Sequence, residues 1–314
     1  MSQDGAGDQT GRITTIDLRY RGIDRCVAAF LVATSTGEVL VECGPARCLD
    51  ALRSGLADAG SGMESIEHLF LTHIHLDHAG ATGACTASGM TAHVHERGAI
   101  HLVDPDKLMA SANRVFGKAL EEDLGSLVAS RAANVAPASE GYSVRIGDTS
   151  FTAIETPGHA RHHHAWLVEN GDARHLFSGD AAGMCLPGTR FATLPLVAPE
   201  FDLVTWLDSI DRLRTLEYDK LWLTHFGVIE DHRDFLDHVE ARLRSETEFV
   251  RDLLTRAGQA PNDDLIGPYR TWHDREAARH GVDPDLLQVH CTDQHFRANL
   301  SGVRRWLERA DRTG

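Results

Sequence analysis

Three imidazoles and a carboxylate stand within residues 73–78, where Thr72-His73-Ile74-His75-Leu76-Asp77-His78-Ala79-Gly80 follows an apolar run. Histidine nitrogens and carboxylate oxygens suit zinc and other first-row metals. His73 and His75 lie two apart in extended chain and point the same way. Asp77 and His78 fall where a helix is expected to begin, so they turn toward a second point. One short run thus feeds two adjacent positions, which is the pattern of a two-metal site. Three other segments end in the same manner. Thr156-Pro157-Gly158-His159 sets a histidine on a turn fixed by Pro and Gly. Phe177-Ser178-Gly179-Asp180 ends in an aspartate, and Leu223-Thr224-His225-Phe226-Gly227 carries a histidine.

These side chains need strand ends to hold them. Residues 27–32 and 38–42 flank Ser35-Thr36-Gly37 and predict a hairpin. Leu49, Leu52 and Leu56 keep helical spacing, 66–71 is the short apolar strand that delivers the first histidines, and 79–87 is helical by composition. Residues 91–95 predict a strand and 98–116 mostly helix. The order then partly repeats, with strands at 142–146, 151–155, 165–168 and 175–178, an amphipathic helix over 202–216, and a last strand at 221–223. Two sheets packed face to face, with helices on their outer faces, accommodate that order. After residue 231 the pattern is helical. Phe235, Val239, Leu243, Phe249 and Leu253 recur through a charged segment, and further helix is expected at 285–290 and 299–309. The expected organisation is a tail at 1–11, a sandwich domain at 12–230 and a helical extension at 231–314. That extension is expected to form part of the pocket wall.

The set His73, His75, Asp77, His78, His159, Asp180 and His225 resembles the full ligand pattern of the metallo-β-lactamase superfamily, in its order and at its strand ends. The resemblance covers about residues 12–230 and implies an α/β (α+β) fold, a four-layer αββα sandwich with a C-terminal helical appendage. It implies two divalent metal ions per chain, zinc first, with iron or manganese as alternatives. His73, His75 and His159 would hold one ion, Asp77, His78 and His225 the other, and Asp180 would bridge them. Two cations ~3.5–4 Å apart can share a water and lower its pKa from ~15.7 toward ~7. Asp77 resembles the family's proton-relay aspartate and is the expected catalytic residue. Thr156-Pro157-Gly158-His159 and the helical extension resemble the glyoxalase-II-like branch, which hydrolyses thioesters. Ala160-Arg161-His162-His163 keeps only the last histidine of that branch's following motif, which argues against glutathione thioesters in particular. Ala181-Ala182-Gly183-Met184 lacks the tyrosine usual in lactonases, and Asp180 stands where the common lactamase subclass has cysteine.

The expected activity is therefore hydrolysis of a thioester or other small acyl ester. The alternatives are a lactonase or a phosphodiesterase or nuclease of the same superfamily, or a metal-binding regulatory or interaction protein without turnover. His163 is the expected orienter of a ligand, while His162, His164, His290, His295 and Cys185 carry no assigned role.

With 31 basic and 46 acidic residues the net charge is −15, which disfavours nucleic acid as a partner. The chain is 42% hydrophobic and 25% charged, as in an ordinary globular protein. No apolar run approaches the ~20 residues that span a bilayer, so no membrane partner is expected. The six cysteines form no CxxC pair. They read as reduced thiols of a cytoplasmic protein, with a homodimer as a candidate assembly.

Overall fold

The computed structural model describes residues 12–117 and 119–313, so the expected tail at 1–11 lies outside the described residues. The first sheet is formed by β1 (Ile13–Asp17), β2 (Ala28–Thr34), β3 (Gly37–Val41), β4 (His68–Phe70), β5 (Thr91–His95) and β6 (Val135–Ala138), paired in that order. The second begins with β7 (Ser143–Ile146), β8 (Thr149–Glu155), β9 (His164–Asn170) and β10 (Ala173–Phe177). After a small ribbon of β11 (Met184–Cys185) and β12 (Ala192–Thr193), it is completed by β13 (Lys220–Leu223) and β14 (Gly227–Ile229). The helices are α1 (Leu49–Asp58), α2 (Leu76–Ala79), α3 (Thr82–Ala87), α4 (Glu96–Val103), α5 (Asp106–Phe116) and α6 (Leu203–Thr215). They continue with α7 (His232–Ala257), α8 (Asn262–Arg279), α9 (Pro284–His290) and α10 (Asp293–Thr313). Among the described residues no helix is long and apolar enough to cross a membrane.

Strand alternation builds the layers. Ala28, Phe30 and Val32 of β2 face Phe151, Trp166, Phe177 and Trp222 of the second sheet, forming the core between the sheets. The alternate residues Ala29 and Leu31 join Leu40, Leu69 and Val94 beneath Leu52, Leu56, Cys85 and Leu102 of the outer helices. On the second sheet, Ile154, Leu167, Leu176 and Leu221 face the opposite way, toward Trp206, Ile210, Phe235, Val239 and Tyr269. Three apolar interfaces between four layers follow from the two-residue period of buried strands. The helices after Asp231 contribute to the same apolar cluster as α6 and the second sheet.

Two local expectations are corrected. β14 follows the strand at 221–223, pairing Leu221 with Ile229; three residues behind a turn are too few to show alternation. The stretch Gly258-Gln259-Ala260-Pro261-Asn262-Asp263 reads as a loop from its composition, but α8 starts at Asn262, where Pro261 precedes the first turn and Pro268 interrupts the pattern.

Candidate metal centre

The four motifs meet because their strands end at one edge. β9 runs antiparallel to both β8 and β10, and β13 runs parallel to β10, so the C-terminal ends of β8, β10 and β13 share an edge. β4 brings His73 and His75 there from the other sheet, and the one-turn α2 adds Asp77 and His78. Two glycines let the chain come close enough. A Cβ at Gly158 (φ +129°) would lie 2.3 Å from the Trp206 Cα. One at Gly179 (φ +49°) would lie 2.4 Å from Thr72 Oγ1 and 2.8 Å from His163 Nε2. Larger residues would displace His159 and Asp180.

The donors gather in two clusters: His73, His75, His159 and Asp180, and Asp77, His78 and His225. Hydrogen-bond partners behind the rings set their tautomers. His159 Nδ1 is 2.9 Å from the Pro195 carbonyl and His225 Nδ1 is 2.8 Å from the Cys26 carbonyl. Carbonyls only accept, so both Nδ1 atoms carry the proton. The Thr72 hydroxyl donates to Glu42, so it accepts from His73 Nδ1 at 3.1 Å. Three Nε2 lone pairs are thereby turned inward. His73 Nε2 and His159 Nε2 lie 3.0 and 2.8 Å from the same His75 Nδ1, which can offer at most one proton. His225 Nε2 lies 3.2 Å from His78 Nε2. Lone pairs set this closely repel unless a cation sits among them, so the residues present fit a metal ion on each cluster.

Asp180 joins the clusters. Its Oδ2 is 3.3 Å from His159 Nε2 in the first, and its Oδ1 is 3.2 Å from His78 Nε2 and 3.6 Å from His225 Nε2 in the second. Electrostatics differ across it. Burial, reinforced by neighbouring imidazoles, holds His73 and His75 well below the ordinary histidine value. Burial also holds His159 down, against the pull of Asp180. In the second cluster burial is outweighed by carboxylates: Asp180, Asp77 and Glu42 hold His78 well above the ordinary value, and Asp77 with Asp180 raises His225. Burial would raise Asp77 and Asp180, but the adjacent imidazoles lower both carboxyls.

A cleft of about 240 Å³ opens onto His75, Asp77, His159 and Asp180. Its walls are apolar: Leu108, Ala112, Val115 and Phe116 from α5 face Val197, Ala198 and Pro199. Lys107, His162 and Glu200 add polar groups.

A family model described as the metallo-beta-lactamase superfamily matches residues 24–225. The chain belongs to that superfamily. Its members are metal-dependent hydrolases, and the chain is one of them. It is similar to a metallo-beta-lactamase fold-containing protein of Sulfurisphaera tokodaii, with 26% identity over 72% of this chain and 86% of the relative. A beta-lactamase-like protein 2 homolog of Caenorhabditis elegans is 25% identical over 71% of this chain, which spans 64% of that relative's length. Among solved structures, a metallo-beta-lactamase family protein from Thermus thermophilus superposes with a TM-score of 0.66 at 20% identity, covering 95% of this chain and 94% of its own. That likeness shows the fold.

Within this superfamily fold all seven expected ligands come together. His163 lies behind them: its Nδ1 pairs with Thr156 Oγ1 at 2.8 Å, and its Nε2 accepts from the Asp180 backbone N–H at 3.1 Å. It thus holds the backbone of Asp180. His162 lines the cleft with its Nε2 3.5 Å from Glu200, while His164 Nε2 pairs with the Leu71 carbonyl at 2.9 Å and braces the end of β4. The Cys185 thiol points to the Thr189 carbonyl, and only its backbone meets His225.

Sequence reasoning missed Glu42 and Asn299. Glu42 is fully buried at the end of β3, against Thr72 and 3.4 Å from His78 Nδ1. Its signal was the same one, an apolar strand running into a carboxylate. The expectation that the helical extension lines the pocket is corrected as well. Among the described residues, those lining the cleft all precede residue 201, and the extension acts from behind. Buried Asn299 donates to the Leu194 carbonyl at 2.8 Å and accepts from the Leu196 N–H at 2.9 Å. Between them stands Pro195, whose carbonyl fixes His159. Gln294 likewise donates to the Val115 carbonyl of α5 at 3.0 Å.

Proposed function

We propose that the chain hydrolyses a small acyl substrate, a thioester or compact ester, with two divalent cations. His73, His75 and His159 would hold one, Asp77, His78 and His225 the other, and Asp180 would stand between them, with zinc the best match to so many nitrogen donors. When bound, the cations supply Lewis-acid activation of water and of the substrate carbonyl.

The side chains of the protein do the rest. The apolar walls from α5 and residues 197–199 receive the acyl portion and exclude water from it. The Asp77 side chain is 34% exposed, against 3% for Asp180, so Asp77 is the carboxylate with room to take a proton and pass it to the leaving group. His163 and Thr72 hold ligands in place and need touch no substrate. Among the described residues that line the cleft, Lys107 is the single Lys or Arg, and a chain of net charge −15 offers little else to a phosphodiester polymer.

One observation carries the reading. Asp180 points one oxygen at each of two lone-pair clusters on the floor of an apolar cleft. The test is a hydrolysis panel on the metal-loaded full chain, spanning acyl-CoA and glutathione thioesters, lactones, β-lactams and phosphodiesters. Turnover of acyl thioesters or esters that is lost in Asp77→Asn supports it. Turnover confined to lactones or phosphodiesters replaces the substrate class, and a metal-loaded chain inert to the whole panel favours a binding role.

A further inference from the structure

A second group of metal-capable side chains meets inside the helical extension. His273 of α8, Cys291 at the α9–α10 junction and His295 in the first turn of α10 each bring a donor atom within 4.8 Å of the others. His273 is fully buried, and neither of its ring nitrogens has a hydrogen-bond partner among the described residues. A neutral imidazole has one donor and one acceptor to satisfy, and an interior that satisfies neither leaves the ring open to a ligand. The surroundings are otherwise closed. The rings of Phe191 and Phe296 stand edge-on to His273 at 5.5 and 5.4 Å, and Cys291 is buried.

The donor set identifies the class of ligand. Two imidazoles and a thiol are soft, nitrogen- and sulfur-bearing groups suited to zinc and poorly suited to calcium or magnesium. The nearby cations are compensated: Arg242 is paired with buried Glu246, and Arg270 with Asp293. A divalent ion therefore does not face bare positive charge. We propose that His273, Cys291 and His295 form a structural site for zinc or a similar thiophilic cation, distinct from the metal centre. Cys291 binds as thiolate and its proton leaves to solvent. The ion ties α8 to the start of α10. Asn299 stands one turn further along the same helix.

Cobalt(II) added to the chelator-stripped full chain tests this. The metal centre presents only histidine and aspartate, so a thiolate-to-cobalt absorption band in the near ultraviolet reports the second site alone. The expected result is a band that vanishes in Cys291→Ser, which also binds one cobalt fewer, and that survives in Cys26→Ser, the cysteine beside the metal centre. No band at saturating cobalt, or a band that persists in Cys291→Ser, overturns the proposal. Should Cys291→Ser fail to fold, zinc-edge X-ray absorption of the wild-type chain decides. A sulfur neighbour at about 2.3 Å supports the site, and a shell of only nitrogen and oxygen rules it out. Neither readout depends on hydrolysis.

Discussion

The two halves of the proposed metal centre use the same residue types in opposite electrostatic company. In the first, His73, His75 and His159 are packed among apolar groups and one another, and burial keeps them neutral. In the second, His78 and His225 sit beside Asp77 and Asp180, and the carboxylates hold both rings above the ordinary value. The first half is a ready set of lone pairs. In the second, any proton that those carboxylates draw onto a ring must leave when a cation binds. The contrast teaches that a ligand's readiness is set by what stands behind it: Pro195 and Thr72 in one half, carboxylates in the other.

Removing the link between the halves has the largest expected effect. Asp180→Ala deletes the oxygen facing each cluster, so metal content should fall at both and hydrolysis should drop to background. That loss exceeds the ~10⁴-fold upper end for a single proton-transfer residue. Elemental analysis beside initial rates checks it, and a variant that keeps both metals would show that Asp180 does not join the halves. Asp77→Asn touches only the second half and the proposed proton path. Its expected loss is ~10²–10⁴-fold in kcat, with the first metal retained. Equal loss of both metals in this variant would erase the distinction between the halves.

Much of this arrangement was legible in the chain, for a physical reason. Each ligand follows a short apolar strand, and a strand end is a local pattern that one sequence displays. The run 73–78 was legible alone, whereas His159, Asp180 and His225 gained meaning only as a set. The order of strands and helices pointed to the sandwich, whereas β2 is apolar throughout, so the faces of Ala28, Phe30 and Val32 and of Ala29 and Leu31 became distinct only in the fold. Contacts between distant segments were not legible. Asn299 lies 105 residues from Leu194, and an Asn inside an amphipathic helix looks like any solvated residue until the fold places it. His162 was hidden in another way, because in His162-His163-His164 nothing local says which ring faces the cleft.

Asn299 gives the next test, and it acts on the first half alone. Asn299→Ala leaves the Leu194 carbonyl, the Leu196 N–H and the Tyr269 hydroxyl without this partner, and it frees the Pro195 carbonyl that orients His159. Metal affinity at the first half should fall ~10–100-fold, the usual range for losing a partner behind a ligand, while the second half is unchanged. Asn299→Asp keeps the acceptor for Leu196 but sets a buried carboxyl oxygen against the Leu194 carbonyl, and it should lose at least as much. Metal titration of both variants measures this. A fall in stability with unaltered affinity would make Asn299 a packing residue only.

The smallest effect concerns histidines that hold no metal and share the environment of the first half. Burial lowers His93 to about 4 and His164 to about 3, and both rings are neutral in the folded chain at pH 7. Their ordinary value in the unfolded chain is ~6.5. A histidine whose folded pKa is depressed contributes nothing against unfolding by acid. The unfolded chain takes up the proton first, so stability is full above pH ~6.5 and declines below it. The decline continues to about pH 4 for His93 and about pH 3 for His164. Each group contributes a slope approaching ~1.4 kcal/mol per pH unit in that window. Denaturant unfolding of the chelator-stripped chain at pH 7.5, 6.5 and 5.5 should therefore show a clear loss over the second step, whereas His78 and His225, held up by their carboxylates, add stability over the first. His93→Phe, which keeps a ring stacked on Phe70 (4.5 Å between centroids) and removes the titrating group, should flatten the loss by about its own share. If the wild-type chain is equally stable at pH 6.5 and 5.5, apolar burial does not hold its histidines neutral, and the contrast between the halves loses its physical basis.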